Sequence, residues 1–360
     1  MMRRLIANLA LVTLLSTSAA SAAGLKIAVV APESGPFALL GKQILDGATF
    51  KAKERGSEIV TVAETCEAAD NDALGKAIVD SGAEAAIGFL CKESLEASLT
   101  ALAAANIPAI TVSVRSDILM EDALKNNWPL FRLVPNAAAE AKKITEVILS
   151  GWKDKPLALI DDGTIHGREL VEAVKTAIGE AGLTPVFTDT FRPSQEQQVS
   201  LVRRLIKSGA THVFVGGDRS DMAVIARDAK AENSGLTFLG SEVLNAADQP
   251  VPLQEGVMAV ALPDYARDPI AAKIVTEFSE AGIVAEGYVL PSFSAVTILE
   301  AAKDTSSAQN LPLRDAVAGG QFETAIGTVR FGPDHELTPS PYRLLVWRNH
   351  RFVEPAQQNQ

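Results

Sequence analysis

The sequence has few of the residues that would mark a metalloenzyme, a nucleic-acid-binding protein or a membrane-embedded chain. Its 360 residues include two cysteines and four histidines. His166, His212, His335 and His350 are scattered without metal-ligand spacing, so zinc chemistry has no donor set and neither metal nor cofactor is expected. Basic residues are in deficit, 33 Lys plus Arg against 44 Asp plus Glu for a formal charge of −11. That balance argues against nucleic acid or an anionic membrane as the main partner. No apolar run approaches the roughly 20 residues needed to span a bilayer, so direct membrane insertion is not expected. The chain has no G-x-G-x-x-G, no P-loop and no G-x-S-x-G. What remains is 47% hydrophobic and 21% charged, with 25 Gly and 18 Pro dispersed along the chain. This globular composition excludes disordered, collagen-like and coiled-coil classes, and the length favours two domains, each with its own core.

Arg3 and Arg4 precede an apolar run from Leu5 to Leu15, and small residues follow, ending in Ala20-Ser21-Ala22. This is the pattern of a cleavable secretory signal over residues 1–22, with the mature chain starting near Ala23. Lipid anchoring would need a cysteine at the cleavage point, and the two cysteines are Cys66 and Cys91. The product is expected to be exported, soluble and free of a lipid tether. In an oxidising compartment two thiols separated by a moderate loop read as a disulfide. Two separately buried thiols, or a nucleophilic Cys91 with a distant histidine, are the alternatives.

Along the mature chain short β-branched runs alternate with helical stripes. Lys26 to Ala31 reads as strand, and Gly41 to Arg55 as helix with Ile44, Leu45, Ala48 and Ala52 on one face. Strands at Glu58 to Ala63, Ala85 to Phe89 and Pro108 to Val112 alternate with helices at Asp72 to Ser81 and Ser94 to Asn106. After a turn-rich stretch at Asn126, Asn127 and Pro129 the series restarts. Helices are expected at Ala137 to Ser150, Gly167 to Ala181 and Glu196 to Ser208, and strands at Leu157 to Ile160 and Val186 to Thr190. His212 to Val215 and Thr237 to Leu239 complete that sheet. Helices at Pro269 to Ala281 and Gly287 to Lys303 follow, with β character at Gly327 to Phe331 and Tyr342 to Trp347. Two such series imply an α/β protein of two doubly wound, Rossmann-like lobes with parallel sheets. Ligands then sit in the cleft beyond the carboxyl ends of the strands.

Two enzyme-like motifs lack their chemistry. Asp161-Asp162-Gly163-Thr164 resembles the dehalogenase-type phosphatase loop, but Ile160 occupies the nucleophile position, and acids at a strand end also suit a following helix N-terminus. Gly216-Gly217 adjoins Asp218, which would repel a phosphate, so a tight strand-to-helix turn is the plainer reading.

The run KIAVVAPESGPFALLGKQILDGATFKA from Lys26 to Ala52 resembles the opening of leucine/isoleucine/valine-type periplasmic binding proteins, the type I solute receptors of ABC importers. Further blocks agree in order: Ile87 to Cys91, Asp161 to Leu170, Phe214 to Met222, Phe238 to Glu242 and Gly327 to Gly332. The resemblance covers nearly the whole mature chain and places Cys66 and Cys91 at the family's disulfide. It implies no enzyme but a periplasmic receptor that binds a small-molecule ligand, closes on it and presents it to an inner-membrane ABC permease. It also implies three hinge crossovers. One lobe takes residues 23–133 plus 264–327, the other 134–263 plus 341–360, with the third crossover at 328–340.

Carried over position by position, the resemblance implies a ligand set of Leu40, Lys92, Glu93, Ser113, Val114, Arg115, His166, Asp218, Glu242 and Tyr288. Glu242 stands where a family acid receives the ligand ammonium. Lys92 replaces a carboxylate-binding serine, whose role could pass to backbone N–H groups, and Arg115 replaces a threonine. His166, Asp218 and Leu40 stand at expected tyrosines, and Tyr288 keeps ring character. Lys92 and Arg115 are thus expected to face Asp218 and Glu242 across the cleft, an arrangement suited to a zwitterion, the extra cation leaving room for a second acidic group. The charged side chains turning to solvent or to neighbours such as Asp117 is the plainer alternative. The ligand expected is an amino acid, branched-chain or more polar. A same-fold sensor for amides, aromatic or other carboxylic acids is the second reading, and an exported α/β hydrolase the third.

Overall fold

The computed structural model describes residues 24–66, 71–246 and 250–355. The expected signal segment, 1–22, lies outside them. The first sheet has five parallel strands, β1 (Lys26–Ala31), β2 (Glu58–Ala63), β3 (Ala85–Gly88), β4 (Ala109–Thr111) and β5 (Leu130–Arg132), in the order β2-β1-β3-β4-β5. Its helices are α1 (Ala38–Arg55), α2 (Asn71–Asp80), α3 (Lys92–Ala104) and α4 (Asp117–Lys125). Alternation along β1 decides which core each residue joins. Ile27, Val29 and Ala31 pack on the face covered by α1, while Ala28 and Val30 pack with Leu95 and Leu99 of α3. Both faces are therefore apolar, as a covered parallel sheet requires.

The chain then enters a second unit through α5 (Ala137–Gly151), β6 (Leu157–Asp161), α6 (Ile165–Glu180), β7 (Phe187–Thr190), α7 (Val199–Lys207), β8 (His212–Gly216), α8 (Arg219–Ala231), β9 (Thr237–Gly240) and β10 (Met258–Ala261). It returns to the first unit with α9 (Ala272–Glu280), α10 (Val289–Gln309), α11 (Leu313–Gly319) and the hairpin β11 (Gln321–Thr324) and β12 (Gly327–Arg330). It ends in β13 (Arg343–Arg348) and β14 (Arg351–Val353). The second sheet is ordered β14-β13-β10-β9-β8-β6-β7, parallel except that β13 pairs antiparallel with both β10 and β14. The return of α10 to the first unit depends on Gly47, because a Cβ there would stand 2.0 Å from the carbonyl oxygen of Val289. Of the described helices, none is long and apolar enough to cross a membrane.

Several sequence expectations need correction. The stretch around Asn126 and Asn127 is only the turn between α4 and β5, two elements not expected from the sequence. α4 buries only Leu119, Met120 and Ala123, and β5 is three residues ending in the charged Arg132, so neither gives a clear pattern. His212 to Val215 and Thr237 to Leu239 do not complete the second sheet, since β10, β13 and β14 extend it. The helix expected from Glu196 starts at Val199, because the backbone N–H of Gln198 is drawn onto Asp228 and its side chain onto the carbonyl of Arg192. The helix expected from Pro269 opens as a 3-10 turn, Pro269–Ala271. α10 runs on to Gln309 and ends at Asn310 in the left-handed region (φ 53°).

Candidate functional site

The loops at the carboxyl ends of the parallel strands hold most of the residues that could meet a ligand. Beyond β4, residues Val112 to Ser116 carry Arg115, and beyond β9 a 3-10 turn, Glu242–Asn245, carries Glu242. The two side chains meet between the sheets. Arg115 Nη1 donates to Glu242 Oε2 at 2.8 Å and Nη2 to Oε1 at 3.0 Å, a bidentate pair. Tyr342, at the entry to β13, donates its hydroxyl to Glu242 Oε2 at 2.6 Å and accepts from Arg115 Nη1 at 2.9 Å. The backbone N–H of Glu242 donates to Glu140 Oε1 at 2.6 Å.

The electrostatics follow from these contacts. Burial alone would raise the Glu242 carboxyl, but the Arg115 and Tyr342 hydrogen bonds hold it below the usual range. Burial likewise works against charge on Arg115, and Glu242 more than compensates. Burial pushes Glu140 up, with the nearby charge of Glu242 adding to it. The Tyr342 hydroxyl is raised by burial and then by the charge of Glu242. Burial pushes Tyr265 up to about 12 and also raises Tyr288.

Beside the pair lies a cavity of about 750 Å3 whose lining includes Ser113, Arg115, Glu242, Tyr265, Glu286 and Tyr288. Its mixture of rings, aliphatic carbons and a few charges is that of a small-molecule site. A surface groove of about 870 Å3 over α1 and α9 is larger, but Asp46, Lys53, Lys273 and Glu277 line it and it contains none of the cleft residues.

The other expected residues are placed differently. Lys92 pairs with Glu96 one turn along α3 at 3.3 Å, so it does not meet Arg115 or the two acids. Just before Lys92, the backbone N–H groups of Leu90 and Cys91 are taken by Glu64 at 2.8 and 3.0 Å. Asp218 is exposed and caps α8 through the N–H of Asp221. His166 and Glu93 are exposed, and Leu40 is half-buried in α1. Ser113 donates its hydroxyl to the carbonyls of Phe89 and Leu90, and Val114 is buried with its N–H on Thr111 Oγ1 at 3.1 Å. The expected quartet of two cations facing two anions is thus one cation clasped to one anion. Tyr342, Tyr265 and Glu140 were missed, and no local pattern marks them. Cys66 and Cys91 form the expected disulfide, with Cα atoms 5.4 Å apart.

Asp221, on α8, is buried, accepts the N–H of Ser194 at 2.8 Å on Oδ1, and leaves Oδ2 without a hydrogen-bond partner. Burial first, then Asp218 and Asp162, raise its pKa to about 6. A carboxyl raised on folding holds a proton that the unfolded chain has lost, so its contribution to stability falls as pH climbs from about 4 to 6. Asp221→Asn should therefore stabilise the protein by on the order of 2 kcal/mol at pH 7.5 and leave it unchanged below pH 4. Denaturant midpoints at the two pH values check this.

Two α/β lobes with a charged, ring-lined cavity at the carboxyl ends of their strands define a two-lobed solute receptor. The periplasmic binding protein family model matches residues 24–351, and the chain belongs to that family. It is thus a binding protein rather than an enzyme. It is 24% identical to the Leu/Ile/Val-binding protein homolog 3 of Brucella melitensis, over 97% of this chain and 98% of that one. It is 25% identical to the leucine-specific-binding protein of Salmonella typhimurium, over 94% of each. Among solved structures it resembles a putative branched-chain amino acid ABC transporter protein from Rhodospirillum rubrum, with a TM-score of 0.79 at 18% identity, covering 92% of this chain and all of that one. A Rhodopseudomonas palustris solute-binding protein in complex with benzoate superposes with a TM-score of 0.62 at 19% identity, covering 92% and 95%.

Proposed function

We propose that this protein is the periplasmic solute-binding component of an ABC importer, taking an amino acid between its lobes and delivering it to an inner-membrane permease. The observation that carries the reading is the bidentate Arg115–Glu242 pair across the cleft. A zwitterion can replace it by exchange, its carboxylate on Arg115 and its ammonium on Glu242 and Tyr342, leaving no charge unpaired. An acid without an amine would strand Glu242 beside Glu140, a costly partly buried charge. The side chain of the ligand would fill the cavity toward Tyr265 and Tyr288. Leu40, Glu93, Lys92, His166 and Asp218 would join only on closure, when the ligand favours the closed population. The lobes would be residues 23–133 plus 264–327 and residues 134–263 plus 341–360, hinged near Leu133, Pro263 and 328–340, and the signal segment 1–22 would direct export. To join on closure, Lys92 would give up its exposed pair with Glu96, and the extra cation would leave room for a second acidic group.

The test is a thermal-shift screen of mature protein freed of ligand by unfolding and refolding, against amino acids, amides, dicarboxylates and aromatic acids. A ligand at 100 times Kd adds about 2.7 kcal/mol of stability. An α-amino acid is expected to give the shift. Aromatic acids are the second reading, favoured by the tyrosine lining; a shift with amine-free acids alone would remove the ammonium role of Glu242. No shift with any compound would remove the amino-acid reading.

A further inference from the structure

The two partners of the cleft pair are joined by a second route that runs through the hinge. Arg132, at the end of β5, is fully buried. Its Nη1 donates to the carbonyl of Ser116 at 3.0 Å, and its Nη2 to Asp117 Oδ1 at 3.0 Å and to Glu336. Ser116 and Asp117 directly follow Arg115 in the chain, so Arg132 grips the loop that aims Arg115. Glu336 lies in the segment between β12 and β13, which lies alongside the edge of the first sheet through the bridge of Arg132 with Glu336. Its other carboxylate oxygen accepts from Asn136 Nδ2 at 2.7 Å. Asn136 caps α5, its Oδ1 taking the N–H of Ala139 at 2.6 Å. One turn on, Glu140 accepts the backbone N–H of Glu242, and the Glu242 carboxylate returns to Arg115.

We infer that Glu336 is a positioning residue: through Arg132 on one side and Asn136 on the other, it sets how the Arg115 and Glu242 loops face each other. It touches neither cleft side chain. The physical basis is a ring closed by hydrogen bonds, most of them charge-assisted, and by two short stretches of chain, Arg115 to Asp117 and the first turn of α5, in which displacing any member strains the rest. A buried guanidinium tolerates little freedom, because releasing Glu336 leaves its charge less compensated. The inference concerns the ligand-free protein and does not depend on which solute binds.

The experiment is site-resolved amide exchange of the ligand-free protein in wild type, Glu336→Gln, Glu336→Asp and Asn136→Ser. The serine keeps the cap on α5 and loses only the donor to Glu336, so it carries the test if Glu336→Gln fails to fold. Glu336→Gln and Asn136→Ser are expected to speed exchange at the Glu242 amide about tenfold more than at Val213 to Val215 in the core of the same lobe. Glu336→Asp, which keeps the charge, should restore part of the protection. Equal acceleration at Glu242 and in the core would mean a general loss of stability and overturn the inference. So would an unchanged Glu242 amide, whatever any solute does to the protein.

Discussion

Glu242→Gln is expected to weaken amino-acid binding by at least 25-fold, measured by calorimetry on refolded protein. Truncating one member of a hydrogen-bonded charge pair costs about 2 to 5 kcal/mol. Solvent reaches the Arg115 side chain, which is 35% exposed, so the lower end of that range applies. The glutamine keeps the shape and an acceptor for Tyr342 but leaves Arg115 without a counter-charge in the empty cleft and the ligand ammonium without one in the full cleft. A change of threefold or less would show that the ammonium sits elsewhere. The pH dependence carries a sign as well. The Glu242 carboxyl is held below its usual value in the fold, so the stabilisation from the pair is present above about pH 4.5 and is lost as pH falls through the folded value. Arg115→Met should remove that acid-side loss, which acid titration of the unfolding midpoint would detect.

The second large effect is at the disulfide. Cys66 and Cys91 are separated by 25 residues, and the chain-entropy model gives about 3.5 kcal/mol for a loop of that length. The double variant Cys66→Ser, Cys91→Ser should lower the stability of the first lobe by that order. Binding should suffer too, because Glu64, two residues before Cys66, holds the Leu90 and Cys91 amides, and Ser113 of the cavity wall donates to the Leu90 carbonyl. Denaturant unfolding followed at Trp128 for the first lobe and at Trp347 for the second would separate local from global loss. Equal destabilisation at both probes would show that the lobes unfold as one unit.

How much of this could be read from the chain alone differs between fold and site. The alternation of apolar strand and amphipathic helix in Lys26 to Ala31 and Gly167 to Ala181 is local, and both elements stand where the pattern puts them, give or take two residues. α4 buries only three side chains, Leu119, Met120 and Ala123, and β5 ends in a charged arginine, so neither carries a clear apolar pattern. The cleft pair depends on loops 127 residues apart, and the roles of Arg115 and Glu242 could be assigned only through the family resemblance. Their mutual contact was not foreseen, because a sequence names charges without saying which neighbour reaches them first. Lys92 shows the same point: its partner, Glu96, lies one helical turn away. Tyr342 could not be found at all, since it is buried by the final return of the chain.

The strand orders β2-β1-β3-β4-β5 and β7-β6-β8-β9-β10 are the same winding performed twice. Counted along each lobe, β4 and β9 are both the fourth strand, so Arg115 and Glu242 stand in topologically equivalent loops. A repeated half-molecule bearing one residue type there would set like charges against each other, and the lobes would repel where they now clasp. Opposite signs at one equivalent position give the internal repeat a polarity that its backbone lacks: the first lobe presents a cation to the cleft and the second an anion.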